Sequence, residues 1–354
     1  MPWEPPPLNG LSKLAPHNWA KGAPFPALFY TELIAAAERV HEDRVVVLAA
    51  ADFDFRELAE NWYLAARRAR ISNALLYALD AEAAAHFVAR AIPTANGTAN
   101  LNAWSATRLQ RHLQRALAER HMAAAALVHG GFDVLLTDVS AVLLRPIAPT
   151  LRSLSVDGPD LYAQRGPCRL SKEPAIGCSF QWNLLFARGN VPAPRRARVV
   201  TFVQAAIDRG MVDFYLRWWA GHHCIFMGYV KLLRDAQPQV ESVSGAAATA
   251  EANVAHPNGI AVIRLRHPKW CASDGTVEGT ARPCMRLGQL PADLFPLAGD
   301  FPPHRMHAII GRSARPDLDP KRSHRLRLDR YDDIDFDNLR KQMVSDGLWL
   351  LPKP

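Results

Sequence analysis

Short apolar runs alternate with longer segments through the first 150 residues of the chain. The runs are rich in Val, Leu and Ala and have the length of strands that are buried on both faces. The longer segments have helical length, and Leu109, Leu113 and Leu117 repeat in one of them at helical spacing. This alternation predicts an α/β fold, in which helices flank a mostly parallel, Rossmann-type central sheet. The predicted strands are 44–54, 73–80 and 132–137, and the predicted helices are 28–42, 55–71, 81–91 and 106–129.

The regular alternation does not continue through the whole chain. A polar loop is predicted between Pro93 and Ser105, and from about residue 150 loops rich in Pro, Gly and Arg dominate. A helix around 195–210 and a strand at 259–265 are predicted there, and the last fifty residues are basic and irregular. No linker-like composition divides the sequence, which predicts one domain. The expected parts are a proline-rich arm (1–26) and a single domain (27–354) with a nucleotide-binding half (27–150) and an irregular acceptor-side half with the closing segment (151–354).

The charge of the chain narrows the class of partner. Its formal net charge is +8, and the basic excess is mostly arginine interspersed with acids, which favours an anionic ligand such as a pyrophosphate. Nucleic acid is not the expected partner, because zinc-finger spacing, basic heptads and aromatic RNA-binding motifs are missing from the sequence. General polyanion binding is a weaker alternative. The arm has no long apolar run, so neither a signal peptide nor a membrane segment is visible in this sequence.

The five cysteines are too few and too scattered for a disulfide scaffold. Cys271 and Cys284 flank a polar loop and could pair in an oxidising compartment, as could Cys168 and Cys178. Free buried thiols are an equally good interpretation. Because the sequence contains no Cys-x-x-Cys pair, a structural zinc site is not expected.

Carboxylates follow each of the three predicted strands. Asp52, Asp80 and Asp138 are expected at the carboxyl ends of strands, where parallel sheets bind ligands. Asp138 opens the motif Thr137-Asp138-Val139-Ser140, and its oxygens would suit a hard divalent ion such as Mn²⁺ or Mg²⁺ that bridges two phosphates. From these residues alone, a carboxylate that caps the next turn is an equally good explanation.

The segment "HMAAAALVHGGFDVLLTDVSAVLLRPI" resembles the central motif of the nucleotide-diphospho-sugar transferase domain family. These are GT-A-fold glycosyltransferases related to the arabinosyl-, xylosyl- and galactosyltransferases of plant and algal cell walls. The segment with Asn61 and Trp62, the run "CSFQWNLLFARGN" and the closing segment "MHAIIGRSARPDLDPKRSHRLRL" with "DGLWLL" resemble further family motifs in the family's order. The resemblance covers about residues 40 to 350.

The resemblance implies a GT-A-like fold and a set of site residues. By position, Asp138 takes the first acid of the metal motif, Ser140 takes the second, and His307 matches the histidine that closes the metal and pyrophosphate site. The implied ion is Mn²⁺ or Mg²⁺. The implied nucleotide-sugar contacts are Asp52, Asp80, Arg120, Asp138, Gly311 and Lys321.

Three positions depart from the family pattern. Ser140 is neutral where the family has an acid, so a metal ion would be held more weakly. Asn183 is followed by Leu184-Leu185 instead of Thr-Gly, and His222-His223 stand where Asp-Gln is expected. Asn183, His222 and His223 are therefore the candidates for catalytic residues, and no catalytic base is assigned.

The function implied by the resemblance is transfer of a sugar from a nucleotide-diphosphate donor, a UDP-sugar, to a glycan or glycoprotein acceptor with retention of configuration. The alternative is a weakened or inactive relative that binds nucleotide sugar or glycan within a transferase complex. Family members imply the Golgi or another endomembrane lumen. Because no targeting segment is visible in this sequence, the cytosol is the other expectation.

Overall fold

The structure of the chain is a computed structural model, which describes part of its residues. The described residues are 27–104, 112–155, 158–165, 180–216, 229, 232–233, 235–236, 238–241, 262–265, 271, 284–290, 295, 308–310, 336–345 and 347–351. The helices are α1 Thr31–Val40, α2 Arg56–Arg68, α3 Ala81–Ala89, α4 Thr98–Ala103, α5 His112–His129, α6 Ala148–Ser155, α7 Ala193–Leu216 and α8 Phe336–Ser345. The strands are β1 Val45–Ala51, β2 Ala74–Ala78, β3 Thr94–Asn96, β4 Asp133–Thr137, β5 Ala141–Leu143, β6 Leu161–Arg165, β7 Phe180–Ala187, β8 Pro238–Glu241, β9 Val262–Leu265, β10 Arg286–Leu290 and β11 Ala308–Ile310.

The central sheet of the described residues has nine strands in the order β3-β2-β1-β4-β7-β6-β10-β9-β8. The strands from β3 to β4 are parallel to one another, and β6, β10 and β8 share their direction, whereas β7 and β9 run the opposite way. Seven of the nine strands therefore point in one direction. This confirms the predicted α/β class with a mostly parallel central sheet flanked by helices, which is the architecture that the resemblance implied.

Alternate residues of β1 pack on the two faces of the sheet, as the pleat requires. Val46 and Leu48 belong to the core that α1, α5 and α7 cover, and Val45, Val47 and Ala49 belong to the core that α2 and α3 cover. Both faces of β1 are thus apolar, which explains why its sequence is a continuous hydrophobic run rather than an alternating one.

Two regions that were expected to be irregular contain regular structure. The prediction of a polar loop between Pro93 and Ser105 is wrong, because β3 and α4 lie there. Their polar residues are used inside the protein: buried Asn100 donates hydrogen bonds to the Phe29 carbonyl and the Tyr77 hydroxyl, both at 2.9 Å. The tail, expected to be irregular, contains α8.

The end of the chain is attached to α2 through one side chain. The Asn61 amide donates to the Leu348 carbonyl at 3.2 Å, and its side-chain oxygen accepts from the Leu350 amide at 2.6 Å. Asn61 and Leu348 are far apart in sequence, and both belong to motifs that carry the family resemblance. The structure also joins Cys271 and Cys284 in a disulfide, one of the two alternatives open from the sequence, whereas Cys168 and Cys178 lie outside the described residues.

Candidate functional site

The site is built at the carboxyl ends of β1 and β4, which are neighbours in the sheet. Ala49 of β1 pairs with Thr137 of β4, and each strand is followed at once by an acidic residue, Asp52 or Asp138. The strand order reverses between these two strands, because β2 and β3 extend the sheet beyond β1 while β7 and the later strands extend it beyond β4. The structure therefore brings two of the sequence-predicted site residues to one edge.

Helix α5 provides a basic side chain for each acid. At one point, Nη1 of Arg120 donates to Oδ2 of Asp138 across 2.8 Å, and eight residues earlier Nε2 of His112 lies 2.8 Å from Oδ2 of Asp52. His112 and Arg120 are about 12 Å apart along the axis of α5, because each residue of an α-helix rises about 1.5 Å. One helix thus contacts the residues that follow both strands. We refer to these as the Arg120–Asp138 pair and the His112–Asp52 pair.

The Arg120–Asp138 pair is buried at the cationic end and open at the anionic end. The side chain of Arg120 is 8% exposed and that of Asp138 is 31% exposed. The other oxygen of Asp138, Oδ1, accepts from the Ser140 backbone amide at 3.0 Å. Burial alone would raise the pKa of Asp138, but the charge of Arg120 and hydrogen bonds from Ser140 and Arg120 outweigh it and lower this pKa. Asp138 is therefore a carboxylate at neutral pH.

In the His112–Asp52 pair, the acid is the buried member. The side chain of Asp52 is 4% exposed, and that of His112 is 40% exposed. Oδ1 of Asp52 is buried and has no hydrogen-bond donor within the described part of the chain. His112 was not among the candidates from the sequence. Its spacing of eight residues from Arg120 on a predicted helix is the signal that was available.

Asp80, the third acid at a strand end, has two hydrogen bonds to the backbone. Its Oδ1 accepts from the Ala83 amide at 2.7 Å and caps α3, and its Oδ2 accepts from the Phe53 amide at 2.8 Å. These bonds fix the turn that follows Asp52. A contact between Asp80 and nucleotide stays a prediction.

The face of α5 next to Arg120 packs on β7 through aromatic rings. The ring nitrogens of His121 lie 2.8 Å from the Leu117 carbonyl and 3.1 Å from the Trp182 carbonyl. The rings of Trp182 and Tyr229 stack with centroids 4.2 Å apart. Burial, and then the charge of Arg120, lower the pKa of His121 to about 4, against the two contacts with carbonyl groups. This packing fixes the segment of α5 that carries Arg120.

Strands β5 and β11 form a small separate sheet directly after the Asp138 motif. Ala308 pairs with Leu143, and Ile310 pairs with Ala141. Their chain neighbours His307 and Gly311 are predicted site residues. The structure says less about the remaining predicted site residues. Asn183 is described only by its place in β7. The others lie outside the described residues: His307, Gly311, Lys321, His222 and His223.

The described members of the predicted metal set do not fit a divalent cation. Both oxygens of Asp138 already accept hydrogen bonds, one of them from a guanidinium, and Ser140 contributes no charge. Within the described ranges, no group of three or more His, Cys, Asp or Glu side chains could hold a metal ion. The participation of His307 stays a prediction.

A cavity of about 170 Å³ lies at the opposite edge of the sheet. Its walls come from the start of β1, the loop before β2 and the loop that leads into α6, with Val45, Asn73 and Pro146 among the lining residues. The length of β1, roughly 20 Å, separates this edge from the His112–Asp52 and Arg120–Asp138 pairs. The cavity is therefore not part of the candidate site.

The described residues contain no helix with the length and apolar character needed to cross a bilayer. In the comparisons with known proteins, no family model and no curated protein matches the chain. One solved structure does, a crystal structure of the galactosyltransferase LgtC in complex with donor and acceptor sugar analogs, with a TM-score of 0.33 and 14% identity over 52% of this chain and 70% of that chain. A similarity this weak is not evidence for an activity of this chain. The functional conclusion rests on the His112–Asp52 and Arg120–Asp138 pairs.

Proposed function

We propose that this protein is a glycosyltransferase that moves a sugar from a nucleotide-diphosphate donor, a UDP-sugar, to a glycan or glycoprotein acceptor. The observation that carries the proposal is the presence of the His112–Asp52 and Arg120–Asp138 pairs at the carboxyl ends of β1 and β4, where the strand order reverses. In open α/β sheets, ligands bind in the crevice outside the carboxyl ends of the strands at this reversal point.

The His112–Asp52 pair supports a nucleoside subsite. A buried carboxylate oxygen without a donor is costly, on the order of 1–3 kcal/mol or more for a charged group. Oδ1 of Asp52 is such an atom within the described chain, and an N–H of a base or an O–H of a ribose would satisfy it. His112 contacts Oδ2 of Asp52, so Oδ1 is the oxygen that a ligand can reach. A uracil ring offers one imide N–H, which matches this single acceptor.

The strand pairing that follows Asp138 supports a diphosphate subsite beside the Arg120–Asp138 pair. The pairing of β11 with β5 brings Ala308–Ile310, the segment between His307 and Gly311 in sequence, beside the residues that follow Asp138. Gly311 and Lys321 are proposed as further contacts. Positive charge from the chain would make the nucleotide diphosphate a better leaving group.

The proposed reaction needs no covalent chemistry from the protein. The bond between the anomeric carbon and the diphosphate oxygen breaks, and a bond from that carbon to the acceptor hydroxyl oxygen forms. The acceptor proton goes to the leaving diphosphate. Departure and attack on the same face give the retained configuration that the family resemblance implies.

Isothermal titration with UDP, GDP and CMP, followed by hydrolysis assays with the matching nucleotide sugars, tests the proposal. In the same titration UDP should bind more tightly than CDP, which carries the same diphosphate but has an acceptor nitrogen where uracil has an N–H. Turnover of at least one sugar donor is expected. No binding of any of these nucleotides would refute the proposal.

One observation favours a second candidate, a non-catalytic relative that binds nucleotide sugar within a transferase complex. Ser140 stands where the family that the sequence resembles has an acid, and the acid that is present, Asp138, is in an ion pair. Tight UDP binding without turnover of any donor, even with a broad set of glycan acceptors, would support this candidate over the transferase.

A further inference from the structure

We propose that this chain binds its donor without a divalent cation, because the Arg120 guanidinium is a built-in counter-ion to the carboxylate that a cation would need. This inference rests on the proposed nucleotide-diphosphate site. It concerns how the charge of that site is balanced, and it has a test of its own.

The first argument is the hydrogen bonding of Asp138. Its Oδ2 accepts from Arg120 at 2.8 Å, and its Oδ1 accepts from the Ser140 amide at 3.0 Å. The Ser140 hydroxyl also hydrogen-bonds the carboxylate and contributes to its lowered pKa. The two motif residues that would ligate a metal therefore bond to each other and to Arg120.

The second argument is charge. A site with two carboxylates presents two negative charges to a divalent ion, whereas this motif has one, and a guanidinium cancels it. A guanidinium stays protonated at every pH at which the protein is folded. The described set of Asp138, Ser140 and Arg120 is therefore electrically neutral and has no excess negative charge to attract Mn²⁺ or Mg²⁺.

The third argument is burial. The Arg120 side chain is 8% exposed, so a metal ion that took Oδ2 would place a second positive charge beside a buried guanidinium. Separating a buried charge from its partner is strongly unfavourable. Water competes well for a metal ion under these conditions.

The geometry gives Asp138 a different task. The Asp138 side chain is 31% exposed, and its oxygens can accept hydrogen bonds from hydroxyl groups of the ribose or of the transferred sugar. The buried guanidinium of Arg120 neutralises the charge of this carboxylate. Neutralisation of the diphosphate then falls to cations of the chain, of which Lys321 is the one expected from the sequence.

Two measurements on the full-length chain test this inference. Titration of UDP in excess EDTA and in excess MnCl₂ should give dissociation constants within about threefold of each other. Electron paramagnetic resonance of Mn²⁺ without nucleotide should show only the free ion. A gain of about tenfold or more in UDP affinity on adding Mn²⁺, or bound Mn²⁺ in the second measurement, would overturn the inference.

The second measurement keeps this inference separate from the proposed function. If UDP does not bind in either buffer, the nucleotide proposal fails, while the Mn²⁺ spectrum still decides whether Arg120 blocks the cation site. UDP binding that requires Mn²⁺ has the reverse meaning: the nucleotide proposal stands and this inference fails.

A pair of variants tests the role of Arg120 itself. Ser140→Asp restores the second acid but keeps the guanidinium, and it should gain little Mn²⁺ binding. The double variant Arg120→Met/Ser140→Asp should bind Mn²⁺ at least about tenfold more tightly than the single one. Equal Mn²⁺ binding by the two would show that Arg120 is not the barrier. Arg152→Met, which removes the exposed Arg152–Asp43 pair at the opposite edge, is the matched control and should leave Mn²⁺ binding unchanged.

Discussion

The Tyr77 hydroxyl donates a hydrogen bond to Oε1 of Glu119 across 2.7 Å inside the core. Oε2 of the same carboxyl accepts from the Trp104 indole at 2.6 Å and the Tyr30 hydroxyl at 3.2 Å. These partners come from β2, from the end of α4 and from the turn before α1. Glu119 precedes Arg120 in α5, so this network fixes the helix that carries Arg120 and His112.

Stability should depend on the ionisation of Glu119. Burial raises the pKa of Glu119 from 4.5 to about 7, although the hydrogen bonds from Tyr77, Trp104 and Tyr30 oppose the shift. The unfolded chain therefore loses this proton near pH 4.5 and the folded chain near pH 7, so this group lowers the free energy of unfolding as pH rises between them. The expected loss is on the order of 3 kcal/mol and is complete above pH 7.

The variant Glu119→Gln isolates this effect, because glutamine stays neutral. Urea unfolding of both proteins at several pH values gives their free energies of unfolding. From pH 4.5 to 7 the value for the variant should rise relative to that of the wild type, and above pH 7 the difference should stay constant. Other carboxyls titrate equally in both proteins and cancel in the comparison. A difference that does not vary with pH would contradict the raised pKa.

Asn61 should control how firmly the end of the chain is held. Asn61→Ala removes the bonds to Leu348 and Leu350 and leaves their backbone groups without this partner, at an expected cost of about 2 kcal/mol. Hydrogen exchange of 347–351 should accelerate more than that of α2. Leu64→Ala on the same helix is the control, because Leu64 is 39% exposed and should change neither quantity much.

The elements that sequence patterns predicted well are those buried on both sides. β1, β2 and β4 are continuous apolar runs because both faces of the sheet are covered, and α5 ends where Gly131 adopts a φ of 86°, which favours glycine. β3 was missed because it has three residues and, among the described strands, pairs with β2 alone. α4 was missed because the polarity of Asn100 predicted exposure, although its amide is used inside the core.

The site was predictable only in part. The acids Asp52 and Asp138 were found because strand ends in a parallel sheet are marked by the preceding apolar run. The basic partners of these acids depend on how α5 crosses the sheet edge, which is a tertiary relationship that local periodicity does not encode. Arg120 contacts Asp138 and its expected contact with nucleotide stays a prediction, whereas His112 was not expected at all.

Removal of the Asp138 carboxylate should destabilise the fold as well as the site. In Asp138→Ala, the buried guanidinium of Arg120 loses its carboxylate, and a broken buried ion pair costs roughly 3–5 kcal/mol, with the lower end expected because Asp138 is partly exposed. Thermal unfolding measures the effect. Ser140→Ala keeps the Ser140 amide bond to Asp138 and should lower the free energy of unfolding by less than about 1 kcal/mol.

Asp52 should contribute more to nucleotide affinity than its exposed neighbour Asp54. Asp52→Asn keeps the size of the side chain but replaces a charged acceptor by a neutral amide, so UDP affinity is expected to fall by about tenfold or more, as for loss of a charge-assisted hydrogen bond. Isothermal titration with UDP measures the change.

Asp54→Asn, two residues further on, is the matched control for this change in charge and should leave UDP affinity within about twofold of the wild type. His112→Asn, which removes only the positioning partner of Asp52, should weaken UDP by an intermediate factor and should have no added effect when Asp52 is already Asn. The two substitutions would then be non-additive, as expected of residues that act through one contact. Equal weakening by Asp52→Asn and Asp54→Asn would mean that the net charge of the loop, and not the buried oxygen of Asp52, sets the affinity.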